Sequence, residues 1–140
     1  MATGPADSIS FVGHPNVRAT HENTIEVTTE DYLTPRGDCI IGVRADKGAA
    51  GLSEEIKRHI RLGGRLRLEI IVGGLSFVFY AWGSPGLELS DARSVVIRRS
   101  SFTSPRTIAV RSTAVARDIP RDMVSELRVG RRGVLAIYAL

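Results

Sequence analysis

A chain of 140 residues with 43% hydrophobic and 24% charged residues has the make-up of one folded domain, able to bury about two-thirds of its unfolded surface, which excludes bulk disorder. The formal net charge of +4 rests on 17 Arg against only Lys47 and Lys57, and so small and dispersed a surplus argues only weakly for nucleic acid. No apolar run approaches the ~20 residues needed to span a bilayer, and the opening MATGPADSIS lacks the basic and apolar regions of a signal peptide. Cys39 is the sole cysteine, so no internal disulfide is possible and a reducing, cytoplasmic setting is the expectation. The absence of Gln and the presence of only two Asn fit a thermophile, although a G+C-rich genome would produce the Arg bias alone.

In chain order, residues 1–7 are expected to fray, leaving residues 8–140 as one domain. Short β-type runs follow at Ser8–Val12, Thr24–Thr28 and Asp38–Arg44. Ser53 can then cap a helix with Glu54 and Glu55 in its first turn and Gly63 at its end, laying Leu52, Ile56 and Ile60 against a sheet. Arg65–Val72 and Leu75–Trp82 alternate with period two around Gly73-Gly74, which predicts a hairpin with a two-residue loop. That register pairs Val72 with Leu75, Ile70 with Phe77, Leu68 with Phe79 and Leu66 with Ala81 as a wholly apolar core face. Arg67 then meets Tyr80 and Arg65 meets Trp82 on the other side. Further strands are predicted at Ser94–Arg98, Thr107–Arg111 and Gly133–Ala139, with a second short helix from Pro120 through Met123 and Leu127 to Gly130. No internal repeat, low-complexity tract or linker is legible. The expectation is a mainly β, jelly-roll-like β-sandwich with two short helices.

His14–Val43 is the stretch richest in groups able to ligate, titrate or hydrogen-bond: two His, five Thr, three Glu, two Asp, two Asn and Cys39. Within it His14, His21, Glu26 and Asp38 are candidate ligand-binding residues. Strand parity places Glu26 with Thr24 and Thr28, away from the inward Ile25 and Val27, and does not require Glu26 to meet Cys39. A zinc or iron site from His14, His21 and one of Glu26, Asp38 or Cys39 is chemically reasonable, but the spacing matches no ligand signature. The plainer reading, favoured here, has the histidines bonding locally in turns. Asp38 equally serves the turn Thr34–Asp38, and Cys39 a small buried apolar position.

A second segment, Ile97–Arg111, alternates Arg98, Arg99, Arg106 and Arg111 with five hydroxyl residues. Guanidinium forks beside hydroxyls suit a phosphate or carboxylate, so Arg99 and Arg106 are the candidate anion partners. His59 is expected in solvent on the charged side of its helix. The hairpin face Arg65, Arg67, Tyr80 and Trp82 has the composition of a single-stranded nucleic-acid platform, but cross-strand cation–π pairs stabilise a sheet without any ligand, and that plainer account is the favoured one. P-loop, dinucleotide and nucleophile-elbow fingerprints are missing.

The run GHPNVRATHENTIEVTTEDYLTPRGDCIIGVRAD with the later RRSSFTSPRTIAV resembles the archaeal family called domain of unknown function 371, over about Phe11 to Leu127. The matching positions are Gly13, His14, Asn16, Thr20, His21, Thr24, Glu26, Leu33, Thr34, Gly37, Asp38, Cys39, Ile40, Arg99, Ser101, Arg106 and Thr107. The resemblance implies an archaeal cytoplasmic protein with a jelly-roll-like sandwich, and no established activity. Three functions follow as expectations. The preferred one binds a small anionic ligand or nucleic acid where the two segments converge. The second is a metal-dependent hydrolase, and the third a structural module, as a homo-oligomer for instance.

Overall fold

The computed structural model describes residues 4–140. Eight strands run β1 (Asp7–Val12), β2 (Thr24–Thr28), β3 (Ile40–Gly42), β4 (Arg65–Val72), β5 (Leu75–Trp82), β6 (Ser94–Arg98), β7 (Thr107–Ala109) and β8 (Arg132–Ala139). Helix α1 (Glu54–Arg61) precedes β4 and α2 (Arg121–Arg128) precedes β8, each after a single 3-10 turn, at 49–51 and 116–118. Met1 to Thr3, part of the segment expected to fray, lie outside the described residues. Its end pairs with β8: the Ala6 amide donates to the Ile137 carbonyl at 2.8 Å, and Asp7 opens β1.

Two four-stranded sheets face each other, ordered β1-β8-β4-β5 and β3-β2-β6-β7. The first is wholly antiparallel, and its β4–β5 hairpin has the register read from the glycine loop, Val72 with Leu75 through to Arg65 with Trp82. In the second only the central pair β2–β6 is antiparallel; β3 lies parallel to β2 and β7 parallel to β6. Those parallel pairs depart from the antiparallel plan of a jelly roll. Backbone bridges from Val12 to Val43 and from Trp82 to Val110 tie the sheets together at both edges.

The core lies between the sheets. Ile9, Phe11, Leu66, Leu68, Ile70 and Ile137 meet Ile25, Val27, Val95, Ile97, Ile41 and Ile108, all buried. Each such side chain contributes roughly 1.5–3 kcal/mol by leaving water. Leu75 and Phe77, expected in this core, are only half-buried because the hairpin tip projects past it. Helix α1 forms as expected: the Ser53 hydroxyl accepts from the Ile56 amide at 3.2 Å, and Gly63 leaves the helix with φ +76°. His59 is not in solvent. It is half-buried with Nε2 2.7 Å from the Arg65 carbonyl oxygen, and its ring occupies the space beside Gly64.

The chain is built twice. Strand, strand, short strand, 3-10 turn, eight-residue helix and eight-residue strand recur in the same order in residues 7–72 and 75–139. Left-handed residues fall at matched places, Ala19 with Leu89, Arg44 with Arg111 and Gly63 with Gly130. Gly13 leaves no room for a Cβ against the Leu127 carbonyl of the other repeat, and Gly83 leaves none against that of Ile60. Strand pairing Glu26 with Val96 sets equivalent residues face to face, which puts a local two-fold axis between β2 and β6.

The sequence conceals this repeat because the halves share side-chain volume out differently. In one half the Phe11 ring fills the space where Gly42 and Gly133 have no side chain. The equivalent positions hold Ala81, Ala109 and Leu66, so the bulk sits on another strand. The turn into β7 is also three residues shorter than the turn into β3.

Candidate functional site

On the outer face of the second sheet, the segments 29–39 and 91–94 wall an open cleft of about 430 Å³. All five residues of β2 are buried, so Thr24, Glu26 and Thr28, although turned away from Ile25 and Val27, are covered as well. Glu26 lies on the cleft floor beside the local two-fold axis, its side chain 9% exposed. Its Oε2 is 3.4 Å from Arg106 Nη1, and its Oε1 accepts from the Cys39 thiol at 3.5 Å. The Arg106 contact is long for a charge-assisted pair and the thiol is a weak donor, so the carboxylate is weakly partnered.

The meeting of Glu26 with Cys39 was not demanded by strand parity. Parallel pairing produces it: the Glu26 amide donates to the Cys39 carbonyl at 2.9 Å, seating the thiol beside the carboxylate. Burial first, and then the Glu26 charge, push the Cys39 thiol up to about 11. It is therefore a protonated donor at neutral pH.

Arg106 enters from the second repeat with its side chain 46% exposed. Beside it, Arg98 donates through Nε to the Thr107 hydroxyl at 2.8 Å and through Nη2 to the Ser104 hydroxyl at 3.3 Å. Its guanidinium also lies 4.9 Å from the centre of the Phe102 ring. Burial, and then the charge of Arg106, lower the pKa of Arg98. Two cations are thus held close together with one carboxylate between the repeats. Arg93, Glu30 and Asp91 complete the charged lining, with Arg93 Nη1 3.8 Å from Glu30.

The two sequence segments meet through Glu26 and Arg106. The other candidates stand apart from the cleft lining. His14 accepts the Asn16 amide on Nδ1 at 3.0 Å, and Asn16 in turn donates to the Leu33 carbonyl at 2.7 Å. His21 Nδ1 accepts the amides of Asn23 and Thr24, both at 3.1 Å, capping the entrance to β2. Asp91 does the same at the equivalent entrance to β6, accepting from Arg93 and Ser94 at 2.6 and 3.1 Å. Asp38 offers its carbonyl to the amides of Thr20 and His21. Arg99 pairs with Asp118 at 3.2 Å, near the second 3-10 turn. No group of three metal-ligating side chains occurs among the described residues.

Sequence reasoning singled out Glu26 and Arg106 but passed over Arg93, Thr28 and Ser94 as lining residues. No signal in the sequence marks them, because Thr28 and Ser94 come together only through the pairing of β2 with β6.

The model for Domain of unknown function (DUF371) matches residues 9–140. The chain belongs to the DUF371 family. The match extends beyond the Phe11–Leu127 stretch that carries the resemblance and takes in β8 as well. The DUF371 chain is also 41% identical over 129 residues to the uncharacterized protein MJ0206 of the archaeon Methanocaldococcus jannaschii, covering 92% of this chain and 96% of that one. No helix among the described residues is long and apolar enough to cross a membrane.

Proposed function

We propose that the protein binds a small anionic ligand in the cleft between its repeats, with Arg106 as the anion partner and Glu26 as acceptor for a donor group on the same ligand. The observation that carries this is the contact between a nearly buried carboxylate and a half-exposed guanidinium, each supplied by a different repeat and joined by one 3.4 Å contact. Arg106 keeps most of its donor fork free, and a bidentate carboxylate or phosphate suits that fork better than the single Glu26 oxygen it now meets. Arg93 stands at the opposite wall with its side chain 70% exposed, held only by a long pair to Glu30. The three acids of the lining disfavour a bare polyanion, so the ligand also carries hydroxyl or amino donors. His14, through Asn16 and the Leu33 carbonyl, and His21, at the entrance to β2, fix chain next to the cleft, whereas Arg99 lies apart from it. A single protonated thiol fits a reducing compartment such as cytoplasm.

Calorimetric titration with inorganic phosphate, citrate and a nucleoside monophosphate tests this reading, on the native chain and on Arg106→Ala. Binding by the native chain that is lost in Arg106→Ala, with the melting temperature retained, supports it. Binding that survives while stability falls makes Arg106 a strut and overturns it.

A further inference from the structure

The opposite side of the molecule carries a second assembly, unrelated to the cleft. On the outer face of the first sheet Arg65, Arg67 and Glu69 of β4 alternate outward, flanked by Val78, Tyr80 and Trp82 of β5 and by Tyr138 of β8. The Arg65 guanidinium lies 5.8 Å from the Tyr80 ring centre, Arg67 4.2 Å from Tyr138 and Arg111 5.3 Å from Trp82. Strand parity adds Arg132 at the far end of β8. Against these four cations the face presents one acid, Glu69, already engaged by the Ser76 hydroxyl and by Arg67.

Arg65, Tyr80, Trp82 and Thr113 line a shallow groove of about 280 Å³ on this face. The outer edge of β5 is closed by the chain around Thr113, whose amide donates to the Tyr80 carbonyl at 2.8 Å. The groove therefore offers ring faces and guanidinium groups, not a free strand edge for β-addition. Tyr80 and Trp82 stand two residues apart on one strand, about 7 Å, so each ring can stack on its own base. A cationic sheet with a half-exposed Tyr80 beside a partly buried Trp82, and a single neutralised acid, is complementary to bases joined by phosphates.

We propose that this face binds single-stranded nucleic acid, with Tyr80 and Trp82 stacking on successive bases and Arg65, Arg67 and Arg111 facing the phosphates. Trp82 is the only tryptophan in the chain, so its fluorescence reports on the face directly. The experiment titrates the full-length protein with oligouridylate, oligothymidylate, a short duplex and inorganic polyphosphate. Expected are saturable quenching of Trp82 by the single strands and weaker binding of the duplex. Three phosphate contacts predict a log–log salt slope of about −2. Tyr80→Ala, at a half-exposed position, weakens binding about tenfold with an unchanged circular dichroism spectrum. Trp82→Phe retains binding to a fluorescein-labelled strand, which guards against loss by misfolding. Tighter binding of oligouridylate assigns RNA, and equal binding assigns the chemistry both strands share. Quenching by polyphosphate as strong as by the strands, or Tyr80→Ala binding like the native chain, overturns the proposal. Loss of strand binding in Arg106→Ala also overturns it, by moving the strand to the cleft.

Discussion

Arg106 and Glu26 are 80 positions apart in the chain, and Nη1 of one lies 3.4 Å from Oε2 of the other. Each belongs to a different repeat, so their contact depends on the two repeats docking about the axis between β2 and β6. Because the Arg106 side chain is half in water, the pair adds little to stability. Arg106→Ala is expected to lower unfolding free energy by less than about 1 kcal/mol, measured by urea denaturation. A larger loss would mark the pair as structural.

Cys39 should react slowly. A thiol held at about 11 by burial and by Glu26 carries about a hundredfold less thiolate than one at its ordinary value near 9. Alkylation by iodoacetamide at neutral pH is expected to lag free cysteine by at least about tenfold. Glu26→Gln should speed it by removing the negative charge beside the sulfur. An unaltered rate in that variant would show that burial alone protects the thiol.

Phe11, Gly42 and Gly133 form one packing unit, since the Phe11 ring takes the space of two absent side chains. Phe11→Ala should cost about 3–5 kcal/mol through the cavity it leaves. Gly42→Ala should cost about 1–3 kcal/mol by overpacking. Phe11→Leu should relieve part of the Gly42→Ala penalty, and a double-mutant cycle by chemical denaturation measures the coupling. Strict additivity would mean that the ring does not sit over Gly42.

His21 and Asp91 perform one task at equivalent strand entrances, each accepting two backbone amides. His21→Asp should therefore retain both fold and ligand binding, whereas His21→Ala should cost roughly 1–2 kcal/mol for the unsatisfied amides. Thermal unfolding separates the variants. Loss of ligand binding in a fully folded His21→Asp protein would give the imidazole a direct role.

Asp7 anchors β1 to the start of α1: its carboxylate takes Lys47 Nζ at 2.9 Å and the Ser53 amide at 2.7 Å. Burial acts to raise its pKa, but the Lys47 hydrogen bond and the amides of Ser53 and Ser8 outweigh it and hold the carboxyl below its ordinary value. A depressed folded pKa means that the unfolded chain takes up the proton first as pH falls. The stabilisation is thus complete above the unfolded value and is lost as pH drops through the folded one. Asp7→Asn should be less stable by roughly 1–2 kcal/mol at neutral pH, and the gap should begin to narrow as pH falls below the ordinary aspartate value and close once pH is below the folded one. A gap that persists at low pH would assign the effect to packing.

Local order was legible because it rests on neighbours in the chain. Alternating apolar residues and a Gly-Gly loop set the β4–β5 register, Ser53 and Gly63 bound α1, and β2 and β6 end at the residues that the pattern marks. The candidate site was half legible. Glu26 and Arg106 stand out as polar groups at strand positions, but nothing in their spacing says that they touch. The histidines stand out equally, and their Nδ1 atoms are spent on amides two and three residues away.

The sequence by itself determined the strands, both helices, the hairpin register and the shared polar character of two segments, since period, capping and turn chemistry act within a few residues. Only the tertiary structure decided the duplication, the parallel outer pairs, the meeting of Cys39 with Glu26 and the pairing of Glu26 with Arg106. These depend on volumes and charges balanced between distant strands, as when Phe11 fills the space of Gly42 and Gly133 while Leu66 supplies the bulk in the other half. Such a balance holds for the sum of several positions and leaves no fixed pattern at any one of them.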